Sequence, residues 1–203
     1  MRARKKKWAE SELTENNLII NNLSSFYDTG KQFNLEIGCG KGKFITETAL
    51  KNPDEIFIGL EREDVILAAA ARRAREMNVP NCRFILDDVK NLEEIIKPGF
   101  VSLLYINFCD PWHRKKKQAK RRLTHDNFLR IYQRLGIKEI HFKTDNRILF
   151  EFSLESFNRC GWRFENISLD LHKSNFTENV QTEYEAKFSP FGPIYRLQAI
   201  NVD

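Results

Sequence analysis

Residues 101–123 read VSLLYINFCDPWHRKKKQAKRRL, and they join a buried strand to a charged loop. The apolar part, Val101 to Phe108, predicts a strand that is buried on both faces. Because Pro111 cannot continue strand pairing, Asp110 and Trp112 should lie on a loop at the strand's carboxyl end. Ligands of open α/β sheets bind outside these carboxyl ends. The loop then runs into seven cations: Arg114, Lys115, Lys116, Lys117, Lys120, Arg121 and Arg122.

Outward from this stretch, predicted strands and helices alternate along most of the chain. This alternation predicts an α/β fold with a doubly wound, mostly parallel sheet. The seven predicted strands are Phe33–Ile37, Ile56–Leu60, Arg83–Leu86, Val101–Phe108, Ile137–Lys143, Trp162–Leu171 and Ile194–Ile200. The predicted helices lie near residues 42–51, 63–77, 91–97, 124–135 and 146–160, with Gly136 and Gly161 as the expected ends of the last two.

The two ends of the chain depart from this alternation. Residues 14–25 carry leucine and isoleucine at helical spacing and predict a short helix before the first strand. Only a polar stretch separates the last two strands, so we expect them to pair antiparallel and to carry an insert near residues 172–190. We expect one domain over residues 1–203, with a flexible basic segment at residues 1–12.

Composition and length restrict the class of protein. The 203 residues, 41% of them hydrophobic, are typical of one globular domain with its own core. No apolar run approaches the roughly 20 residues that span a bilayer, so we expect a cytoplasmic protein. The four cysteines show no paired spacing, which favours reduced thiols and no metal site.

Positive charge is concentrated in two runs. Residues 1–7 hold five Lys or Arg and residues 113–122 hold seven, with no acid in either run. Twelve of the 33 cations therefore lie in these runs, and 21 remain against 28 acids in the rest of the chain. Cations clustered on an acidic body favour binding to a phosphate backbone. The alternative is that the runs, above all the N-terminal one, are solvated.

A glycine-rich turn predicts the small-molecule site. Residues 35–42, LEIGCGKG, read as a strand that enters a turn containing Gly38 and Gly40 and then a helix. Such turns hold dinucleotides as well as S-adenosylmethionine. Glu36 lies two residues before the first glycine, where its carboxylate would repel a pyrophosphate and attract the ammonium and sulfonium groups of S-adenosylmethionine. Unit charges about 4 Å apart interact by roughly 4 kcal/mol at an effective dielectric near 20, so Glu36 favours S-adenosylmethionine.

Two further acids follow predicted strands. Glu61 lies 23 residues beyond Gly38, near the spacing at which an acid binds ribose hydroxyls. Asp88 could accept a hydrogen bond from an adenine amino group. Each could instead be a turn or cap residue.

Taken together, these motifs resemble the bacterial tRNA (guanine-N7)-methyltransferases over nearly the full chain. The resemblance rests on LEIGCGKGKF at 35–44, GLEREDVILAAAARRARE at 59–76, NFCDPW at 107–112 with AKRRL, HFKTDN at 141–146 with LFE, and TEYEAKF at 182–188 with GPIYRL. It implies a class I, Rossmann-like S-adenosylmethionine-dependent methyltransferase that methylates ring nitrogen N7 of the variable-loop guanine of tRNA.

The resemblance also implies roles for individual residues. It places Glu36, Glu61 and Asp88 on the methyl donor and Asp110 on both donor and catalysis. The implied substrate-binding residues are Asp145, Thr182, Glu183, Tyr184 and Glu185, together with one cation of the basic run. That cation is Arg114 when residues are counted forward from Asp110, and Lys115 when they are counted back from AKRRL.

Guanine N7 carries a lone pair and no proton, so methyl transfer to it needs alignment and not a general base. The product ring is cationic, and Asp110 or Asp145 could stabilise the developing charge. Trp112 could stack on a base or pack beneath its own loop. Covalent catalysis by Cys109 is disfavoured, because N7 is already nucleophilic. If Thr182 to Phe188 is extended, the side chains of Glu183 and Glu185 point to the same side of the segment. Alternatively, the segment packs against the protein and has no role in binding RNA.

Three other functions remain open at this point. Asp110-Pro111-Trp112 is close to the D-P-P-Y loop of enzymes that methylate exocyclic amines. An RNA-binding chaperone with a vestigial pocket is a second alternative, which Glu36 and Asp110 together disfavour. A nicotinamide dehydrogenase is a third, which Glu36 disfavours. The sequence leaves open whether the protein is a monomer or a homodimer.

Overall fold

The computed structural model describes residues 7–112 and 116–202, without the side chains of residues 116 and 117. In this part of the chain seven strands form one sheet in the order β3-β2-β1-β4-β5-β7-β6. Strands β1 to β5 pair parallel, whereas β7 pairs antiparallel with both β5 and β6. The strands are β1 Phe33–Ile37, β2 Phe57–Glu61, β3 Cys82–Leu86, β4 Val101–Asn107, β5 Glu139–Thr144, β6 Trp162–Ser168 and β7 Tyr195–Asn201.

Eight α-helices accompany the sheet in the described residues. They are α1 Lys7–Glu15, α2 Ser24–Thr29, α3 Lys43–Lys51, α4 Asp64–Glu76, α5 Leu92–Ile95, α6 Asp126–Arg134, α7 Arg147–Arg159 and α8 Glu183–Phe188. Short 3-10 turns cover Val89–Asn91, Lys116–Arg121, Leu171–Lys173 and Ser189–Phe191.

Two apolar layers hold the helices against the sheet. Helices α3 and α4 contribute Phe44, Ile45 and Leu67 to one layer, together with the alanines of α4. Helices α6 and α7 contribute Leu129 and Phe157 to the other. A sheet covered on both faces agrees with the apolar character of its central strands. The helix pairs are thereby fixed on opposite faces, and the carboxyl edge of the sheet lies between them.

The strand and helix predictions agree closely with the structure. Each predicted strand corresponds to an observed one, and the last two strands pair antiparallel as expected. Helices α6 and α7 end just before Gly136 and Gly161, whose φ angles of 71° and 80° lie in the left-handed region. Strict strand and helix alternation therefore sufficed to predict the doubly wound sheet.

The helix predicted for residues 14–25 was wrong. Helix α1 ends at Glu15, and the chain then runs in extended form beside β3, where Ile19 bridges Phe84 in parallel. The Phe84 amide donates to the Leu18 carbonyl at 2.8 Å, and the Ile20 amide donates to the Phe84 carbonyl at 2.9 Å. These bonds satisfy edge groups of β3 that a helix would leave unpaired.

The flexible segment predicted for residues 1–12 was wrong for residues 7–12. They form the first part of α1, where Ala9 is buried and the Glu12 carboxylate pairs with Arg75 of α4 at 2.5 Å. Residues 1–6 lie outside the described part of the chain.

The extended conformation considered for residues 182–188 was also wrong, because Glu183–Phe188 forms helix α8. The Thr182 hydroxyl accepts a hydrogen bond from the Glu185 amide at 2.9 Å and caps the first turn. Glu183 and Glu185 consequently point in different directions: the first pairs with Arg73, and the second is fully buried.

Candidate active site

A crevice of about 620 Å³ opens at the carboxyl ends of the central parallel strands. It lies where the strand order reverses between β1 and β4, the place at which α/β sheets bind ligands. Residues that follow or end four successive strands line it, namely Gly38, Glu61, Asp88 and Asn107. The wall beyond β4 is formed by Phe108, Cys109, Asp110, Trp112, Lys120 and Arg121.

The glycine turn after β1 leaves room for a ligand. Gly38 and Gly40 have φ angles of 71° and 56°, which disfavour any residue with a side chain. A Cβ atom added to either would meet nothing within 4 Å, so the space beside both is open. The Gly38 amide donates to the Leu60 carbonyl at 2.8 Å, and the Gly40 amide donates to Glu61 Oε2 at 3.1 Å. The turn is therefore held by β2 while it faces open space.

Glu36 lies on β1 directly before Ile37 and Gly38, which line the crevice; it is 2% exposed and is not itself a lining residue. Its Oε1 accepts a hydrogen bond of 2.8 Å from Asn107, which lines the crevice, whereas its Oε2 has no partner. Burial raises the pKa of Glu36 to about 8, because the charged form is desolvated there. The Asn107 Oδ1 atom is also buried without a partner. Glu36 Oε2 and Asn107 Oδ1 are thus two buried acceptors without donors. They fit a cationic group that donates hydrogen bonds, such as the ammonium of S-adenosylmethionine.

Glu61 and Asp88 both line the crevice, and both already bind backbone amides. Glu61 Oε1 accepts from the amides of Arg62 and Glu63 at 2.9 and 3.1 Å. Asp88 accepts from the Lys90 amide at 3.0 Å and caps a 3-10 turn. A carboxylate has about four acceptor positions, so both retain capacity for a ribose or an adenine. Those ligand contacts stay predictions.

The loop that carries Asp110 is held from both sides. Phe108 and Trp112 have φ angles of 52° and 43°, values that are uncommon for residues other than glycine. Arg122 donates to the Pro111 carbonyl at 2.8 Å, and the Arg121 guanidinium lies 3.7 Å from the centre of the Trp112 ring. A fixed loop of this kind presents the exposed Asp110 carboxylate to the crevice.

Trp112 lies in the crevice wall, and the choice between its two predicted roles stays open. Its ring lines the crevice, and Arg121 stacks against it. A base could stack only where the ring is free of this guanidinium, so base stacking by Trp112 stays a prediction.

Asp145 and Tyr184 are brought together by the fold. The Tyr184 hydroxyl donates to Asp145 Oδ2 at 2.9 Å, and the Tyr184 ring lies 5.1 Å from the ring of Phe108. Phe108 lines the crevice, whereas Asp145 and Tyr184 do not. Helix α8 therefore contacts the crevice wall from outside, through the rings of Tyr184 and Phe108.

The cation predicted to contact the substrate, Arg114 or Lys115, lies outside the described residues. Of the same run, Lys120 and Arg121 are exposed and line the crevice. At least these two cations of the run thus lie beside Asp110.

Cysteine and metal chemistry find no support in the described residues. All four cysteines are free thiols there. Burial raises the pKa of Cys109 to about 12, so the thiolate needed for nucleophilic attack is scarce at neutral pH. Within residues 7–112 and 116–202 no three His, Cys, Asp or Glu side chains are grouped so that they could hold a metal ion. No helix in the same ranges is long and apolar enough to cross a membrane.

Sequence reasoning missed Asn107 as a member of the site. It is the last residue of β4 and the residue that pairs with Glu36. A polar residue that ends an otherwise buried strand was the available signal, since such ends face the crevice.

Comparison with known proteins identifies the family. The family model described as "Putative methyltransferase" matches residues 31–196. The tRNA (guanine-N(7)-)-methyltransferase of Listeria monocytogenes serotype 4a (strain HCC23) is 46% identical over 210 residues, which cover 98% of each chain. The enzyme of the same name from Halalkalibacterium halodurans is 44% identical over 98% of this chain and 95% of its own.

Solved structures support the fold. The 16S rRNA methyltransferase KamB superposes with a TM-score of 0.62 over 90% of this chain and 95% of its own, at 11% identity. A structure described as an antibiotic related methyltransferase gives a TM-score of 0.62 over 91% and 96%, at 17% identity. These likenesses show a class I methyltransferase fold. The family model and the sequence relatives show that the chain belongs to the tRNA (guanine-N(7)-)-methyltransferase family of S-adenosylmethionine-dependent enzymes.

Proposed function

We propose that this protein transfers a methyl group from S-adenosylmethionine to N7 of the variable-loop guanine of tRNA in the cytoplasm. The observation that carries the proposal is one crevice at the β1 to β4 switch point. The buried acid Glu36, bonded to the lining residue Asn107, fits a cationic donor. The lining acid Asp110 shares the crevice wall with the exposed cations Lys120 and Arg121. The printed names of the sequence relatives support the same reaction.

The proposed chemistry relies on placement. When bound, S-adenosylmethionine supplies an electrophilic methyl group. Guanine N7 needs no base to become a nucleophile, so the residues around the crevice act by holding the two reactants in line. As the methyl group transfers, the guanine ring becomes cationic, and the Asp110 carboxylate stabilises that charge as it forms. Gly38, Glu61 and Asp88 hold the donor in this proposal.

The proposed guanine site lies between Asp110 and helix α8. Tyr184 and Asp145 offer a hydroxyl and a carboxylate beside Phe108, and Glu183 of the same helix, paired with Arg73, offers a second carboxylate. Such groups match the N–H donors of guanine's Watson–Crick edge, which phosphates lack. Thr182 contributes by capping α8.

A transfer assay tests the proposal. Purified protein, labelled S-adenosylmethionine and unmodified tRNA should give label in the tRNA. Omitting the tRNA should abolish the signal. An RNA-binding protein with a vestigial pocket would bind the same tRNA and transfer no label.

The basic run should recognise tRNA through its phosphates. Replacing Lys116 and Lys117 by Ala should weaken binding of all tRNAs alike, because phosphate contacts carry no sequence information. It should also lower the slope of log affinity against log salt by about 0.7 to 0.9 per lost contact. Binding titrations at several salt concentrations measure both quantities.

A charge-matched control is available at the opposite edge of the sheet. Lys31 and Lys97 are exposed and precede β1 and β4, so they lie near the amino ends of the strands. The pair Lys31→Ala and Lys97→Ala should leave the salt slope unchanged. Equal slopes for both double variants would show that net charge alone acts, and that the run is not a phosphate-binding surface.

A further inference from the structure

A closed network of polar groups lies behind helix α8. Lys143, near the carboxyl end of β5, is 5% exposed. Its ammonium donates to Glu185 Oε2 at 2.7 Å, to the Val180 carbonyl at 2.9 Å and to Asn179 Oδ1 at 3.1 Å. An ammonium has three hydrogens, so all of its donors are engaged within the protein.

Glu185 is the acceptor at the centre of this network and is fully buried. Besides Lys143, it contacts Asn179 Nδ2 at 2.7 Å and His172 Nε2 at 3.0 Å. Asn179 bridges the pair, because its oxygen accepts from Lys143 while its nitrogen donates to Glu185. The Glu185 carboxylate thus meets partners on both oxygens and has no exposed surface for a base.

The network fixes the part of α8 that reaches the crevice wall. Tyr184 directly precedes Glu185. The Tyr184 hydroxyl donates a hydrogen bond to Asp145, and the Tyr184 ring packs against Phe108. On the other side, Lys143 lies close enough to Glu36 for the two charges to interact. Lys143 therefore interacts both with Glu36, whose partner Asn107 lines the crevice, and with helix α8.

We propose that Lys143 and Glu185 are positioning residues, which dock α8 on the sheet and so hold Tyr184 against Asp145 and Phe108. This inference rests on the proposed function and departs from the guanine-binding role that the family resemblance implies for Glu185. Glu185 acts through Lys143 and Tyr184 and does not contact the guanine.

The physical chemistry of buried ion pairs makes the two roles separable. Removing one member leaves an uncompensated charge in the interior, whereas replacing both members by apolar residues of similar volume is often neutral for stability. A docking pair therefore tolerates the double replacement better than either single one. If Glu185 instead binds guanine directly, the double replacement is no better tolerated than Glu185→Leu, because the guanine contact is lost whether or not Lys143 is present.

Hydrogen exchange of the wild-type protein without tRNA gives the first test. The amides of Glu185 and Ala186 donate to Thr182, so a docked α8 should protect them. We expect exchange slowed by about a hundredfold or more relative to an unstructured peptide. Exchange at the unstructured rate until tRNA is added would overturn the proposal. The result is independent of methyl transfer, so it stands even if the proposed function fails.

A mutational cycle gives the second test, with kcat/KM for tRNA as the readout. Lys143→Met and Glu185→Leu should each lower kcat/KM at least tenfold and lower the thermal midpoint. The double variant should recover at least threefold over the poorer single variant, with a midpoint closer to wild type. A Glu151→Leu variant controls for loss of an acid, since Glu151 forms an exposed ion pair with Arg147 on α7.

Two patterns in the cycle would contradict the proposal. A double variant as impaired as Glu185→Leu, with Lys143→Met near wild type, indicates direct recognition by Glu185. Wild-type kinetics in all variants indicates that the network has no effect on the reaction. Should a single variant fail to fold, the double variant and the exchange experiment still decide between docking and direct contact.

Discussion

Asp110→Asn is expected to lower kcat for methyl transfer by about a hundredfold while changing the binding of donor and tRNA by less than about threefold. The asparagine keeps the size and the hydrogen-bonding oxygen of the aspartate but lacks its negative charge. Because the guanine gains positive charge only as the methyl group arrives, a carboxylate matched to that charge acts on turnover more than on binding.

Single-turnover rates and separate binding titrations measure the two effects. Asp54→Asn is the matched control, since Asp54 is exposed and precedes β2 at the opposite edge of the sheet. If Asp110→Asn weakens donor or tRNA binding as much as it slows transfer, Asp110 is a binding residue and does not stabilise the transition state.

Glu36→Gln is expected to weaken S-adenosylmethionine binding by roughly thirty- to hundredfold at neutral pH. A charge pair near 4 Å contributes roughly 4 kcal/mol at an effective dielectric of about 20. With a pKa of about 8, ionising Glu36 at neutral pH opposes this by about 1.4 kcal/mol. Roughly 2 to 3 kcal/mol remains. Calorimetry measures the affinity of both proteins for S-adenosylmethionine. A loss of affinity below about threefold would show that Glu36 does not pair with the donor.

The same residue should give a pH signature. Donor affinity of the wild-type protein should rise from about pH 6 to about pH 8, as Glu36 ionises, and level off above. Glu36→Gln should show no such rise. In the free protein the pKa of Glu36 is above its unfolded value, so stability falls as pH rises between the two. The variant should therefore unfold at a higher temperature than wild type near pH 9 without donor.

The strands and the donor side of the site were predictable because both depend on local pattern. Apolar runs bounded by glycine, proline and acids mark parallel strands, and the carboxyl ends of such strands converge at one edge. Glu61, Asp88 and Asp110 follow or end different strands, and Glu36 is the penultimate residue of β1, so topology alone brings them to the same edge of the sheet.

The substrate side was less predictable because it depends on contacts between distant segments. Residues 14–25 have helical spacing, yet hydrogen bonds to Phe84 hold Leu18 to Ile20 extended. Likewise, TEYE has the alternation of a strand, but its Thr182 caps a helix. The burial of Glu185 is set by Lys143, 42 residues earlier, and no local pattern announces that pair.

Mapping the methyl group on the tRNA tests the central claim most directly. Methylation at ring nitrogen N7 makes the guanosine cationic and labile to base, whereas methylation of an exocyclic amine does neither. Unmodified tRNA should be treated with the wild-type protein and donor, exposed to mild base to destroy the cationic base, treated with aniline to cleave the chain at the damaged nucleotide, and sequenced across the resulting breaks. We predict one break at the variable-loop guanine, which is absent without donor. Labelled tRNA that stays intact after base and aniline, with the methyl group on an exocyclic nitrogen, would contradict the account.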